Sequence, residues 1–124
     1  MIAGCLPGDL GIEPLEVTDE RTVARLVIDH RHLHEGGFAQ GGAWVGFADS
    51  VAAWQTSRHV PAGTTFSTIE LKLNLFAAAA PGDELVATAE HLHEGRTTHV
   101  VEVRIARGER LVANLVVTNF ILSG

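Results

Sequence analysis

The chain of 124 residues lacks most of the features that tie a protein down from outside its own core. It holds one cysteine, Cys5, which excludes an intrachain disulfide and predicts a reducing compartment, read here as the cytoplasm. No proline- or serine-rich linker and no low-complexity stretch divides it, and its length predicts one domain spanning residues 1–124. Positive charge is scarce: 9 Lys and Arg stand against 15 Asp and Glu, a net charge of −6. That balance argues against nucleic acid as a partner, because a phosphate backbone needs a basic face. A phosphorylated small molecule needs only a local arginine cluster and stays open. Residues 36–57 are apolar but broken by glycine pairs, Gln40, Asp49, Gln55 and Thr56, which excludes a membrane-crossing helix.

What the chain does have is periodicity. Ile12 to Val17 and Thr22 to Asp29 flank the polar turn Thr18-Asp19-Glu20-Arg21 and predict a hairpin. After Gly36 and Gly37 the period becomes helical from Gly41 to Ser57, with Trp44, Phe47, Val51 and Trp54 on one stripe. Beyond Pro61 and Gly63 it becomes two: Ile69, Leu71, Leu73 and Leu75 alternate with Glu70, Lys72 and Asn74. Pro81-Gly82-Asp83 predicts a turn, and strands follow over 85–90, 97–106 and 111–122. The resulting order, β-β-α-β-β-β-β, predicts an α+β fold: one long helix on a curved antiparallel sheet of five to six strands. His-Leu-His-Glu-Gly occurs twice, at 32–36 and 91–95, between unrelated flanks, and is read as coincidence.

Within the helix the only formal charge is Asp49. On a helical wheel it lies nearly opposite the large apolar stripe, among Gly42, Val45, Gly46, Ala52, Ala53 and Thr56. A carboxylate on the outer face of a helix is ordinarily just solvated. Here its neighbours are small or apolar, unlike a water-facing surface, which points to burial by a ligand or a second helix. The helix start, Gln40-Gly41-Gly42, offers no Ser, Thr, Asp or Asn cap, so its first N–H groups are available to water or to a carbonyl oxygen. Gly41 and Asp49 are eight residues apart, roughly 12 Å along one helix. One substrate carbonyl cannot touch both within a chain. A twofold dimer with antiparallel helices could bring Asp49 of one copy to the Gly41 end of the other.

Several segments together resemble the PaaI-like hot-dog thioesterases, a group that includes the 4-hydroxybenzoyl-CoA thioesterase of the Arthrobacter type. They are Gly37-Phe38-Ala39-Gln40-Gly41-Gly42, Asp49, Thr68 to Asn74, Pro81-Gly82-Asp83, Gly95-Arg96 and Leu111-Val112-Ala113. The resemblance implies a hot-dog fold that hydrolyses acyl-CoA, aryl or medium-chain, across the interface of a homodimer, with dimers often paired into tetramers. By position it implies Asp49 as nucleophile or general base and the Gly41 N–H as the group polarising the thioester carbonyl. His34 would lie near the reacting water or carbonyl, and Thr68 would position the water or carboxylate. Gln40, Gly42 and Ala53 would line the substrate site. Coenzyme A would be part of the substrate, with no separate cofactor; Arg96, Arg58 and Lys72 are candidates for its phosphates. The sequence departs from the family where Gln40 replaces a histidine, Ala53 replaces a hydroxyl, and Ala77 stands where an arginine is usual.

Two other classes fit parts of the pattern. His30, His32 and His34 alternate, as do His91 and His93, which suits a cupin-like metal site, although a long apolar helix in mid-chain does not suit a cupin. No metal is expected. A hot-dog protein that binds acyl-CoA without hydrolysing it would look the same in sequence.

Overall fold

A computed structural model describes residues 4–123. A short helix α1 (Leu6–Leu10) precedes the hairpin β1 (Glu13–Val17) and β2 (Thr22–Val27), and a 3-10 turn at His30–His32 leads to the long helix α2 (Gly41–Ser57). Strands β3 (Thr65–Leu75), β4 (Glu84–Glu94), β5 (Thr98–Arg107) and β6 (Arg110–Ser123) complete the chain. All six strands form one antiparallel sheet in the order β1-β2-β4-β5-β6-β3. This is the hot-dog arrangement, with α2 on the concave face against β2, β4, β5 and β6. A single six-stranded sheet around a helix also disposes of the cupin alternative.

The inward faces of the central strands are filled by Ala87 and Ala89, Val101, Val103 and Ile105, and Leu115 and Val117, all excluded from water. Alternation of two along each strand produces that face. The helix meets it with Trp44, Phe47, Ala48, Val51, Ala52, Gln55 and Thr56. This buried arc is wider than the expected stripe because a curved sheet covers more of the helix than a flat one would. Two expectations change in consequence. Trp54 is only half-buried, and Ala52 and Thr56, placed by the wheel on the open side with Asp49, are core residues.

Gly46, also expected on the open side, is covered by α1. A Cβ there would lie 2.9 Å from Leu10 Cδ1 and 3.6 Å from Leu6 Cδ2. The five-residue α1, with Pro7 in its first turn, was not foreseen, because so short a segment carries no periodic signal.

The predicted hairpin turn is present, with Thr18 N–H donating to Arg21 O at 2.9 Å. The second strand ends earlier than expected, at Val27, because Asp29 caps the 3-10 turn: its carboxylate accepts from Arg31 N at 2.9 Å. Strand β3 lies at the edge of the sheet, and a bulge between Thr68 and Glu70 interrupts its pairing with β6. The bulge breaks the expected alternation. Leu71 and Leu73 pack on the core, whereas Ile69 is 59% and Leu75 45% exposed.

Candidate active site

Asp49 lies on the flank of the buried arc, not opposite it. It is seven residues before Thr56, hence only about 20° away around the helix axis. A chain of hydrogen bonds runs between the two. Thr56 Oγ1 donates to Asn119 Oδ1 at 2.7 Å, and Asn119 Nδ2 donates to Thr68 Oγ1 at 3.2 Å. Thr68 Oγ1 in turn donates to Asp49 Oδ1 at 2.9 Å. The inner members, Thr56 and Asn119, are fully buried; Asp49 is half-buried and Thr68 exposed. The network fixes one carboxylate oxygen, Oδ1. Thr68 was expected at this place. Asn119 was missed, although a polar residue in register with Leu115 and Val117 on a core-facing strand is a readable signal.

The helix tip is bare, as its sequence predicts. Gln40 is the N-cap, in extended conformation (φ −73°, ψ 149°), and its side chain makes no capping bond. The N–H groups of Gly41 and Gly42 have no acceptor among the described residues, and a Cβ on either glycine would meet nothing within 4 Å. Beside Gly41 is an open depression of about 480 Å³ walled by His34, Phe38, Trp44, Phe76 and Ala77. Phe76 is 53% exposed at its rim. His34 is set in its loop by Gly36, whose N–H donates to His34 Nδ1 at 2.8 Å. That acceptance puts the ring proton on Nε2, available to a ligand.

Other expected residues are dispersed. Gln40 and Gly42 wall a separate hollow of about 200 Å³ with Leu6, Leu10 and Arg31. Ala53 is half-buried one turn beyond Asp49. Arg58 is held by Asp19, with Nη2 to Oδ1 at 2.8 Å, at the opposite end of α2 from Gly41. Arg96 and Lys72 are exposed, with no ion-pair partner among the described residues. Asp49 is absent from the wall of the Gly41 depression, so within one chain the carboxylate and the helix tip do not line a common pocket.

The alternating histidines do not form the metal set that their spacing suggested. His32 is buried and uses both ring nitrogens in the fold: Nδ1 accepts from Asp29 N at 2.9 Å and Nε2 donates to Leu10 O at 2.8 Å. His30 is almost fully exposed, and His34 turns away into the loop. A bulge separates His91 from His93.

Against this geometry, a family model described as the thioesterase superfamily matches residues 36–114, more than half of the chain. ComA2 of Bacillus subtilis (strain 168), which carries a provisional esterase name, is 36% identical over 83% of this chain and 82% of its own length. The E. coli PaaI protein from the phenylacetic acid degradation operon superposes with a TM-score of 0.87 over 95% of this chain and 84% of its own, at 21% identity. A Streptococcus pneumoniae TIGR4 protein described as a hypothetical thioesterase, solved with coenzyme A, gives 0.83 over 91% and 90%, at 24% identity. The two structures share the fold. The family match and ComA2 carry the kinship.

Proposed function

The chain belongs to the thioesterase superfamily of hot-dog thioester hydrolases, and from that premise we propose that it cleaves acyl-coenzyme A at two sites shared across a homodimer. One observation carries the proposal. A fixed carboxylate and a bare helix tip, each of the kind thioester hydrolysis needs, lie roughly 12 Å apart on one helix. Two antiparallel copies of α2 bring each Asp49 to the other copy's Gly41. The long edge strand β3, with Ile69 and Leu75 exposed, supports pairing with a second copy, since such edges are otherwise covered or charged.

In this arrangement the thioester carbonyl accepts a hydrogen bond from Gly41 N–H, strengthened by the positive end of the helix dipole as charge develops on oxygen. Asp49 Oδ2 takes a proton from water as that water attacks the carbonyl carbon, or itself attacks to form an anhydride that water then opens. In both cases the C–S bond breaks, the coenzyme A thiolate leaves and is protonated, and a free acid remains. Thr68 holds Oδ1 in both, and His34 Nε2–H reaches toward the carbonyl or the water. The apolar wall of Phe38, Trp44 and Phe76 suits an aryl or medium-chain acyl group. The pneumococcal neighbour's coenzyme A supports the carrier, with the exposed Arg96 and Lys72 as candidates for its phosphates and Arg58 already engaged.

The test is thiol release from a panel of aryl- and medium-chain acyl-CoA substrates. Asp49→Asn and Asp49→Ala are expected to lose about 10²–10⁴-fold in kcat. Wild-type rates in both would remove Asp49 from the chemistry. A single turnover in ¹⁸O water that leaves label in Asp49 identifies the anhydride route with water opening it at the Asp49 carbonyl, since an Asp49-activated water labels only the product acid. Sharing is tested by co-refolding Asp49→Asn with Gly41→Pro. Random pairing leaves one intact site in each mixed dimer, so activity should return to about a quarter of wild type. No recovery would place each site within one chain.

A further inference from the structure

At the far end of α2, where it meets the end of β4, four titratable side chains converge that the hydrolytic site does not use. His59 lies just past the helix. Its Nε2 is 2.7 Å from Asp19 O, and its Nδ1 is 2.5 Å from Glu94 Oε1. The His91 ring stacks on it with centroids 3.9 Å apart and planes at 32°. His91 Nε2 is 3.0 Å from His99 Nδ1, while His91 Nδ1 is enclosed and has no hydrogen-bond partner among the described residues. On a regular strand, residues three apart face opposite sides. The bulge between His91 and His93 adds a residue, turns Leu92 outward to 59% exposure and lets His91 and Glu94 share a side.

We propose that His59, His91 and Glu94 form a binding site for one divalent transition-metal ion of borderline softness, Zn(II) or Co(II), with His99 orienting His91 from outside. Each of the three offers a donor atom, and these atoms lie within 4.8 Å of one another. Two imidazoles and a carboxylate are a set such ions accept, at about 2.0–2.2 Å from each donor. Binding would draw the donors closer together, a movement that the exposed Glu94 is free to make. The tautomers suit the role. His59 Nε2 faces Asp19 O at 2.7 Å, which only accepts, and the Gln55 amide nitrogen at 3.3 Å; the shorter contact favours a proton on Nε2 and makes Nδ1 the coordinating atom. With His91 Nε2 donating to His99 Nδ1, one of the two directions this contact allows, the unpartnered Nδ1 carries the lone pair.

The ion would take the place of the contact between His59 Nδ1 and Glu94 Oε1, so any proton held between them is released on binding. Water completes the coordination. The ion would join the end of α2, the β1–β2 turn and the β4–β5 hairpin.

The test uses tag-free, chelator-stripped protein titrated with Zn(II), with Co(II) as the spectroscopic probe and Mg(II) as the control. One equivalent of Zn(II) per chain is expected, with proton release measured in buffers of different ionisation enthalpy. Co(II) should give visible d–d bands, and Tm should rise with Zn(II) but not Mg(II). His91→Gln and Glu94→Gln should each weaken binding tenfold or more, and an unchanged metal-free Tm for the exposed Glu94→Gln shows that the fold is intact. No stoichiometric binding, or equal affinity in wild type and both variants, overturns the site.

Discussion

At its N-terminal end α2 starts on two glycines whose N–H groups have no acceptor, and whose missing side chains leave open space, among the described residues. At its C-terminal end almost every group is engaged. Arg58 and His59 N–H donate to Gln55 O and Thr56 O, and the Arg58 guanidinium grips Asp19. Buried Gln55 accepts from Thr22 Oγ1 at 2.8 Å and donates to Asp19 O at 2.8 Å. Same helix, opposite finish. Unsatisfied donors beside a depression are a resource for a substrate, while satisfied ones hold the fold. Changes at the first end should therefore alter rate with little loss of stability, and changes at the second should do the reverse.

The sharpest way to break that contrast is Gly41→Pro. Proline is well tolerated at the first helical position, Gln40 already has the extended conformation that precedes proline, and no atom obstructs the ring's Cβ. The substitution removes one N–H and little else. We expect kcat to fall about 10²–10³-fold with Tm essentially unchanged. A normal rate would show that this N–H does not bind the oxyanion.

Gln55→Leu should do the opposite. It strands the buried Thr22 hydroxyl and should cost about 1–3 kcal/mol, read from the urea midpoint at fixed protein concentration, with kcat within about twofold of wild type. Between the ends, Thr68→Val removes the hydroxyl that holds Asp49 Oδ1. A fall of roughly tenfold in kcat, from one lost hydrogen bond to a charged group, with KM little changed, would mark it as a positioning residue.

The smallest effect concerns the loop before the helix. The Arg31 side chain and N–H hold the Asp29 carboxyl well below the usual carboxylate range. Its unfolded pKa is near 3.9, so its contribution is present above that pH and is lost as pH falls through the lower folded value. Asp29→Asn should lower Tm slightly at pH 7, and the gap to wild type should narrow below about pH 4. A gap independent of pH would assign the effect to the capping geometry alone.

The repeated pentapeptide marks where local reading stops. At 32–36 it runs from a 3-10 turn into a loop that sets His34 beside Gly41; at 91–95 it is bulged strand and hairpin turn, with His91 turned toward His59. Identical residues adopt different structures because one copy follows the Asp29 cap and the other continues a strand paired with β5. In the same way, the wheel placed Asp49 with Ala52 and Thr56, but the curvature of the sheet decided that those two are buried and that Asp49 sits at the margin.

The sequence by itself determined the helix, the strands and turns after it, the bare glycine tip and the single acid, because periodicity, cap chemistry and charge are local properties. Only the tertiary structure decided the β3 bulge that offers Thr68 to Asp49, the buried Asn119 behind it, and the meeting of His59 with His91 and Glu94. Those contacts join residues far apart along the chain, and their positions depend on how strongly one sheet curves around one helix.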